Sequence, residues 1–201
     1  PAFVPAQLRL ATEADAPGVL AIYGPFCDQT PISFETHAPS LPEMRERIRK
    51  ITAQFPWLVC ERDGVVLGYA YACAHRERAA YRWAVDAAVY TGEGSRRCGV
   101  GRALYTALFE LLVAQGYFKI YAGIALPNPA SVGLHAAMGF TPVGDYRGGG
   151  FKFGAWHDVG WWQKTLQPEV AEPTEPVSIR DLANPAVWES AFAAGTKWLH
   201  A

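Results

Sequence analysis

The chain has 201 residues, enough for one domain or one domain with an appendage, and enough to bury a core without help from disulfides or metal. Half the residues are hydrophobic and 18% are charged, which excludes global disorder, and 18 Lys and Arg against 19 Asp and Glu give a net charge of −1, which excludes the electrostatic footprint of a general nucleic-acid binder. No run approaches the roughly 18 apolar residues of a membrane-spanning helix, and Pro1-Ala2-Phe3-Val4-Pro5 lacks the charged and apolar regions of a secretion signal, so neither nucleic acid nor membrane is expected as a partner.

Leu8-Arg9-Leu10 predicts a short strand, and Thr12-Glu13-Ala14-Asp15 reads as a helix start with an acidic residue three positions after the cap. The helix it opens carries Val19, Leu20, Ile22 and Tyr23 on its apolar face. Gly24 to Pro42, with four prolines around Ile32 and Phe34, predicts a long loop, and such loops are commonly binding elements. Glu43 to Phe55 predicts a helix, with Met44, Ile48 and Ile51 at helical spacing. Trp57–Glu61 and Val65–Ala72 form a hairpin through Asp63-Gly64, followed by the charged segment His75-Arg76-Glu77-Arg78. Trp83 to Tyr90 is a further strand, with Asp86 embedded among apolar neighbours.

A glycine-rich loop, Thr91 to Gly101, leads into a helix from about Gly101 to Gln115 that Gly116 ends. Tyr117 to Ile124 predicts a strand, Pro127-Asn128-Pro129 opens a helix ending at Met138-Gly139, and the segments Phe140 to Tyr146 and Trp156 to Gln163 close the sheet. The alternation gives an α/β class with a mixed sheet. From Gln167, Pro168, Pro173 and Pro176 interleave with Glu169, Glu172 and Glu175 as a linker, before a short amphipathic helix over Val187 to Leu199 carrying Trp188, Phe192 and Trp198. That tail packs either on the domain or on a partner. The expected division is a catalytic domain over 1–166 and a linker with a tail over 167–201. Cys27, Cys60, Cys73 and Cys98 contain no C-x-x-C pair and read as reduced cytoplasmic thiols, with no metal site.

The most specific local signal is Arg96-Arg97-Cys98-Gly99-Val100-Gly101 between a strand and a helix. Its glycines let a ligand approach the backbone, and the free N–H groups of the helix start suit a pyrophosphate. No Lys-Ser/Thr pair follows, which excludes a Walker loop, and the third glycine of a dinucleotide fingerprint is missing. Taken by itself the motif is also compatible with a tight turn before a helix.

The order of pieces resembles the GNAT N-acetyltransferases: an apolar strand, R-x-x-G-x-G, an amphipathic helix, a strand, then N-x-x-S and Leu134-His135-Ala136-Ala137-Met138-Gly139-Phe140. Ile32-Ser33-Phe34, Phe55-Pro56-Trp57-Leu58-Val59, Ala80 through Tyr90, Leu126-Pro127-Asn128 and Trp156 through Gly160 narrow the resemblance to the phosphinothricin acetyltransferases and their methionine sulfone/sulfoximine relatives, over about residues 7 to 166. The resemblance implies a GNAT fold: an α/β (α+β) domain with a mixed, mostly antiparallel central sheet flanked by helices, holding acetyl-CoA between two splayed parallel strands. It implies that Arg96, Arg97, Cys98, Gly99, Val100, Gly101 and Arg102 hold the coenzyme pyrophosphate. It further implies that Val89, Tyr90 and Thr91 line the pantetheine arm, and that Asn128 and Ser131 contact the coenzyme downstream.

A carboxylate inside an apolar strand is costly unless it is paired, so Asp86 needs a reason. Strand alternation places it on one face with Ala88 and Tyr90. The related enzymes carry Glu at the matching position as the base that deprotonates the amine. Asp is one methylene shorter, which suits proton transfer through a water. A salt bridge to a nearby Arg is the alternative. His135 stands where many GNAT enzymes carry a tyrosine near the thioester sulfur, which implies assistance with the thiolate or the amine, against a purely structural role. A backbone N–H near Val89 or Tyr90, where the family's strand bulges, would meet the charge developing on the carbonyl oxygen. Arg76, Arg78 and Tyr81 suit the acidic groups of an amino-acid substrate, or form a solvated loop; Phe34 walls the pocket or belongs to the core. His157-Asp158, with no nucleophile nearby, is expected to order a strand or a subunit interface.

The reading is an acetyl-CoA-dependent N-acetyltransferase that acetylates the primary amine of a small amino acid or analogue, in a cytoplasmic homodimer. Acetylation of a polyamine, an antibiotic or a protein N-terminus, non-catalytic sensing of acyl-CoA, and an interaction protein built around the tail are the alternatives.

Overall fold

The computed structural model describes residues 5–200; the residues before Pro5, on which the reading of the amino terminus falls, lie outside it. Seven strands form one sheet in the order β1-β2-β3-β4-β5-β7-β6: β1 (Gln7–Leu10), β2 (Trp57–Arg62), β3 (Val65–Ala74), β4 (Ala84–Thr91), β5 (Lys119–Leu126), β6 (Thr141–Lys152) and β7 (Ala155–Thr165). All neighbours pair antiparallel except β4 with β5. The helices are α1 (Ala16–Gln29), α2 (Leu41–Ile51), α3 (Val100–Gln115), α4 (Pro129–Ala137) and α5 (Pro185–Thr196). Among the described residues no helix is long and apolar enough to cross a membrane.

Strand alternation divides the apolar side chains between two cores. Leu58, Cys60, Ala70, Ala72 and Val85 face α3, whose Leu104, Leu108, Leu111 and Leu112 are fully buried. Trp57, Val59 and Tyr69 face α1 and α2 through Val19, Ile22, Met44 and Ile48. Asp86 and its neighbours obey the same rule: Val85, Ala87 and Val89 belong to the α3 side, whereas Tyr90 packs on the α1 side.

Several boundaries differ from the sequence expectation. The segment from Gly24 was expected to be loop, yet α1 continues through Pro25 to Gln29. Pro25 removes one helical donor, but continuing the helix buries Cys27 completely and sets Phe26 against Tyr90, with ring centroids 5.2 Å apart. The start of α2 falls two residues earlier than expected, because Ser40 and Glu43 form a reciprocal capping box around Pro42. The final hairpin is also longer than predicted. β6 runs on through Gly148-Gly149-Gly150, a stretch with no strand propensity, and turns at Phe153-Gly154, both left-handed.

The tail packs on the domain. Ile179 and Ala191 are buried in the α3 core, and Gln115 Nε2 donates to the carbonyls of Gln54 and Val177 at 2.9 Å. Trp188 and Phe192 sit on α5 as expected, but Trp198 lies beyond the end of that helix. At Gly195 α5 passes close to α3 and β1: a Cβ there would stand 2.5 Å from the Ala103 carbonyl oxygen and 2.5 Å from Leu8 Cδ1. Gly195→Ala is therefore expected to lift α5 off α3 and cost about 1–3 kcal/mol, read as a lower melting temperature.

Candidate functional site

β4 and β5 pair only from Ala84 to Asp86 against Lys119 to Tyr121. Beyond that point they diverge, so alternate N–H and C=O groups of β4 after Asp86 face a gap rather than a partner strand. On its other edge β4 stays in unbroken register with β3 from Val85 to Thr91. The bulge expected near Val89 and Tyr90 is absent; separation from β5, and not a register slip, frees those amides.

The gap continues into a cleft of about 820 Å³ lined by Val89, Tyr90, Thr91, Arg96, Arg97, Gly99, Val100, Gly101, Arg102, Asn128 and Ser131. Of the coenzyme candidates Cys98 alone is outside its wall: the side chain packs toward the α3 core and the carbonyl accepts from His200 N–H at 3.2 Å. Arg97 and Gly99 are both left-handed, at φ 64° and 79°, and this alternation curls successive N–H groups into a concave nest. The first helical bond of α3 runs from Ala103 N–H to the Gly99 carbonyl, so the amides of Val100, Gly101 and Arg102 have no acceptor within the helix. Nest, helix start and three arginines fit the pyrophosphate of a coenzyme A, and the unpaired edge of β4 fits its amide-bearing arm.

A second cavity of about 650 Å³ opens from the same splay, and Ile32, Tyr90, Gly123 and Ala125 line both spaces. Its wall includes Asp86, Phe34, Ser33, Glu35, Tyr146 and Trp161. Asp86 is paired with His75, whose Nδ1 lies 2.6 Å from Oδ1, and not with an arginine. Burial raises the Asp86 carboxyl above the usual carboxylate range, and the hydrogen bond and charge of His75 together with the Arg76 charge offset part of that rise. His75 is itself clamped, stacked on Tyr121 at 4.3 Å with the Tyr81 ring edge-on at 5.7 Å. Burial pushes the Tyr90 phenol up to about 12, so it stays neutral and acts as wall rather than base.

Phe34 lines the cavity and lies over β6, where a Cβ at Gly150 would meet its ring at 2.3 Å. Arg76, Arg78 and Tyr81 are exposed and outside the cavity wall, because β3 ends at Ala74 and the charged segment turns into solvent. Arg76 still reaches over the Trp161 ring, 6.0 Å from its centroid, while Arg78 is not brought to the cavity. His135 is buried with both ring nitrogens engaged. Nδ1 lies 2.8 Å from the Ser131 carbonyl and Nε2 lies 2.9 Å from the hydroxyl of Tyr105. Burial holds its pKa down against the raising effect of the Ser131 bond, so it is a neutral imidazole that donates to Ser131 and accepts from Tyr105. Asn128 caps α4 by accepting from Ser131 N–H at 3.2 Å. His157 and Asp158 tie the β6–β7 hairpin together, the first at the Lys152 carbonyl (2.9 Å) and the second at Gly148 N–H (2.7 Å).

Residues 8–161 match the acetyltransferase (GNAT) domain family. The chain belongs to the GNAT acetyltransferases. It is 39% identical over 175 residues to the phosphinothricin N-acetyltransferase of Streptomyces viridochromogenes, covering 87% of this chain and 96% of that protein. The L-methionine sulfoximine/L-methionine sulfone acetyltransferase of Pseudomonas aeruginosa is 35% identical over 170 residues, covering 84% of this chain and 99% of its own. Among solved structures, a GNAT superfamily phosphinothricin acetyltransferase from Sinorhizobium meliloti in complex with AcCoA superimposes with a TM-score of 0.80 at 36% identity, covering 86% of this chain and 95% of that one. This GNAT chain is an N-acetyltransferase, and among its described residues no cluster of His, Cys, Asp or Glu is placed to hold a metal ion.

Sequence reasoning missed His75 as the partner of Asp86, and missed Trp161. The signal for Trp161 was Gly123, a glycine inside a strand: a Cβ there would come within 3.2 Å of the Trp161 ring opposite. It also missed Lys152, a buried ammonium that donates to the carbonyls of Cys27, Ser33 and Glu35 at 2.5, 2.7 and 2.7 Å and so pins the loop carrying Phe34. Lys152→Met removes all three donors. It is expected to cost at least about 1–3 kcal/mol and to speed amide exchange through residues 30–37, measured by hydrogen–deuterium exchange.

Proposed function

We propose that this GNAT enzyme transfers acetyl from acetyl-CoA to the primary amine of a small amino acid or analogue of the phosphinothricin and methionine sulfoximine/sulfone kind. The observation that carries this reading is the meeting of the two cavities at Tyr90 and Gly123, with a paired carboxylate in the wall of the smaller one. An amine bound there faces the splay, so acceptor and donor are held in one orientation rather than meeting by diffusion. The nitrogen attacks the thioester carbonyl and the C–S bond breaks. Asp86 takes the amine proton, directly or through a water, while His75 fixes the carboxylate. A β4 amide freed by the splay, near Val89 or Tyr90, meets the charge on the carbonyl oxygen. His135, with the Tyr105 hydroxyl, supports the wall beside the departing sulfur. Arg76 at the rim and the nearby Arg78 supply positive potential for an acidic acceptor, with Tyr81 set against His75.

The acceptor class is tested by thiol release from acetyl-CoA across amino acids and their sulfone, sulfoximine and phosphinic analogues. Turnover confined to polyamines or to protein amino termini would remove it. Asp86→Asn is expected to lower kcat by about 10² or more. Below its raised pKa Asp86 is protonated and accepts nothing, so activity falls as pH drops through a value above the ordinary carboxylate range. His75→Ala deletes the group that pulls this pKa down, and is expected to move that acid limb to higher pH.

We further propose a homodimer in a reducing, cytoplasmic setting. The four cysteines are unpaired thiols, and the outer hairpin exposes Val143, Phe151, Phe153 and Trp156, the last 71% exposed. Light scattering is expected to give twice the chain mass for the wild type and one chain mass for Phe151→Glu/Trp156→Glu.

A further inference from the structure

The family match ends at residue 161, yet the wall of the larger cleft includes Trp198 and His200 of the tail. After α5 the chain crosses the anion nest. The Trp198 carbonyl rests on Gly99, where a Cβ would stand 1.7 Å from its oxygen, and His200 N–H donates to the Cys98 carbonyl at 3.2 Å. The Arg102 guanidinium stacks over the Trp198 indole, 4.9 Å from the ring centroid. Trp198 and His200 both line the cleft, and the indole is left 40% exposed. Gly99 thus serves twice: its left-handed backbone shapes the nest, and its missing side chain seats the strap.

We infer that this C-terminal strap is part of the coenzyme site and that Trp198 and His200 hold the 3′-phosphoadenosine end of acetyl-CoA. In acetyl-CoA the pyrophosphate lies between the pantetheine arm and the adenosine. With the arm along β4 and the pyrophosphate on the nest, the adenosine leaves the nest on the side away from Asp86, where the strap lies. An exposed indole stacked against the Arg102 guanidinium offers what a purine carrying a phosphate requires: an aromatic surface beside a positive charge. The arginines at 96, 97 and 102 already neutralise the pyrophosphate, leaving the imidazole of His200 for the 3′-phosphate. The inference rests on the acetyl-CoA reading above, and not on the identity of the amine.

The test is calorimetric binding of two donors, acetyl-CoA and S-acetylpantetheine, which lacks the nucleotide, to the 201-residue wild-type chain and to its Trp198→Ala and His200→Ala variants. Both variants are expected to bind acetyl-CoA more weakly, Trp198→Ala by about tenfold, while S-acetylpantetheine binding stays at its wild-type value. Dephospho-CoA is expected to lose affinity with Trp198→Ala but not with His200→Ala. Unchanged acetyl-CoA binding in both variants, or an equal loss for both donors, overturns the strap as a nucleotide site. Tighter acetyl-CoA binding in either variant overturns it too, because the strap would then obstruct the nest. A wild-type chain that binds no acetyl-CoA overturns this inference and the donor reading together, whereas binding without amine turnover overturns only the latter's acceptor.

Discussion

Two parallel strands that part company inside a sheet are the constraint on which this molecule depends. Three residue pairs join β4 to β5, and the ladder stops at Asp86 and Tyr121. A sheet interior that leaves backbone groups unpaired is costly wherever water is excluded, at about 1–3 kcal/mol for each orphaned group. The divergence is tolerated here because it opens a cleft, so that the unpaired groups face open space rather than apolar side chains. The candidate site is arranged about that fork: the nest at the far end of β4, the carboxylate at the last paired residue, and the smaller cavity opening from the same splay. Strand alternation sorts the side chains, sending Ala87 and Val89 to one core and keeping Asp86 and Tyr90 on the face of the smaller cavity.

Two buried polar groups near the fork are matched differently to their partners. His135 donates to the Ser131 carbonyl and accepts from Tyr105, an arrangement that keeps it uncharged in an apolar wall. Among the described residues Asp86 has one side-chain hydrogen-bond partner, His75 at Oδ1, and it lines the smaller cavity. The difference between a saturated imidazole and a half-satisfied carboxylate separates a group that holds the wall from one that can take up a proton.

Much of this was legible in the sequence where local chemistry is distinctive. Two glycines one residue apart before an amphipathic helix could be recognised as an anion nest without coordinates, and a lone aspartate in an apolar strand announced itself by its cost. The unread parts are those decided by distant contacts. The continuation of α1 past Pro25 depends on Phe26 meeting Tyr90, some 64 residues away in a strand. The partner of Asp86 was sought among arginines because charge is conspicuous; the neighbour that mattered was a histidine fixed by stacking on Tyr121, in a strand the local sequence does not name. The strand bulge carried over from the family was replaced by a regular β4, since the separation of β5 already exposes the amides. Glycines 148 to 150 concealed half of β6, because they sit across a register shift after which Gly150 pairs with His157 beneath the ring of Phe34.

Lys152 gives the outer hairpin a consequence beyond stability. It stands at the end of β6, beside the turn, and its ammonium grips the loop that carries Ser33, Phe34 and Glu35. The exposed aromatic edge of the sheet and the wall of the smaller cavity are therefore tied together through one buried ammonium, a single anchor shared by an outer surface and an inner one.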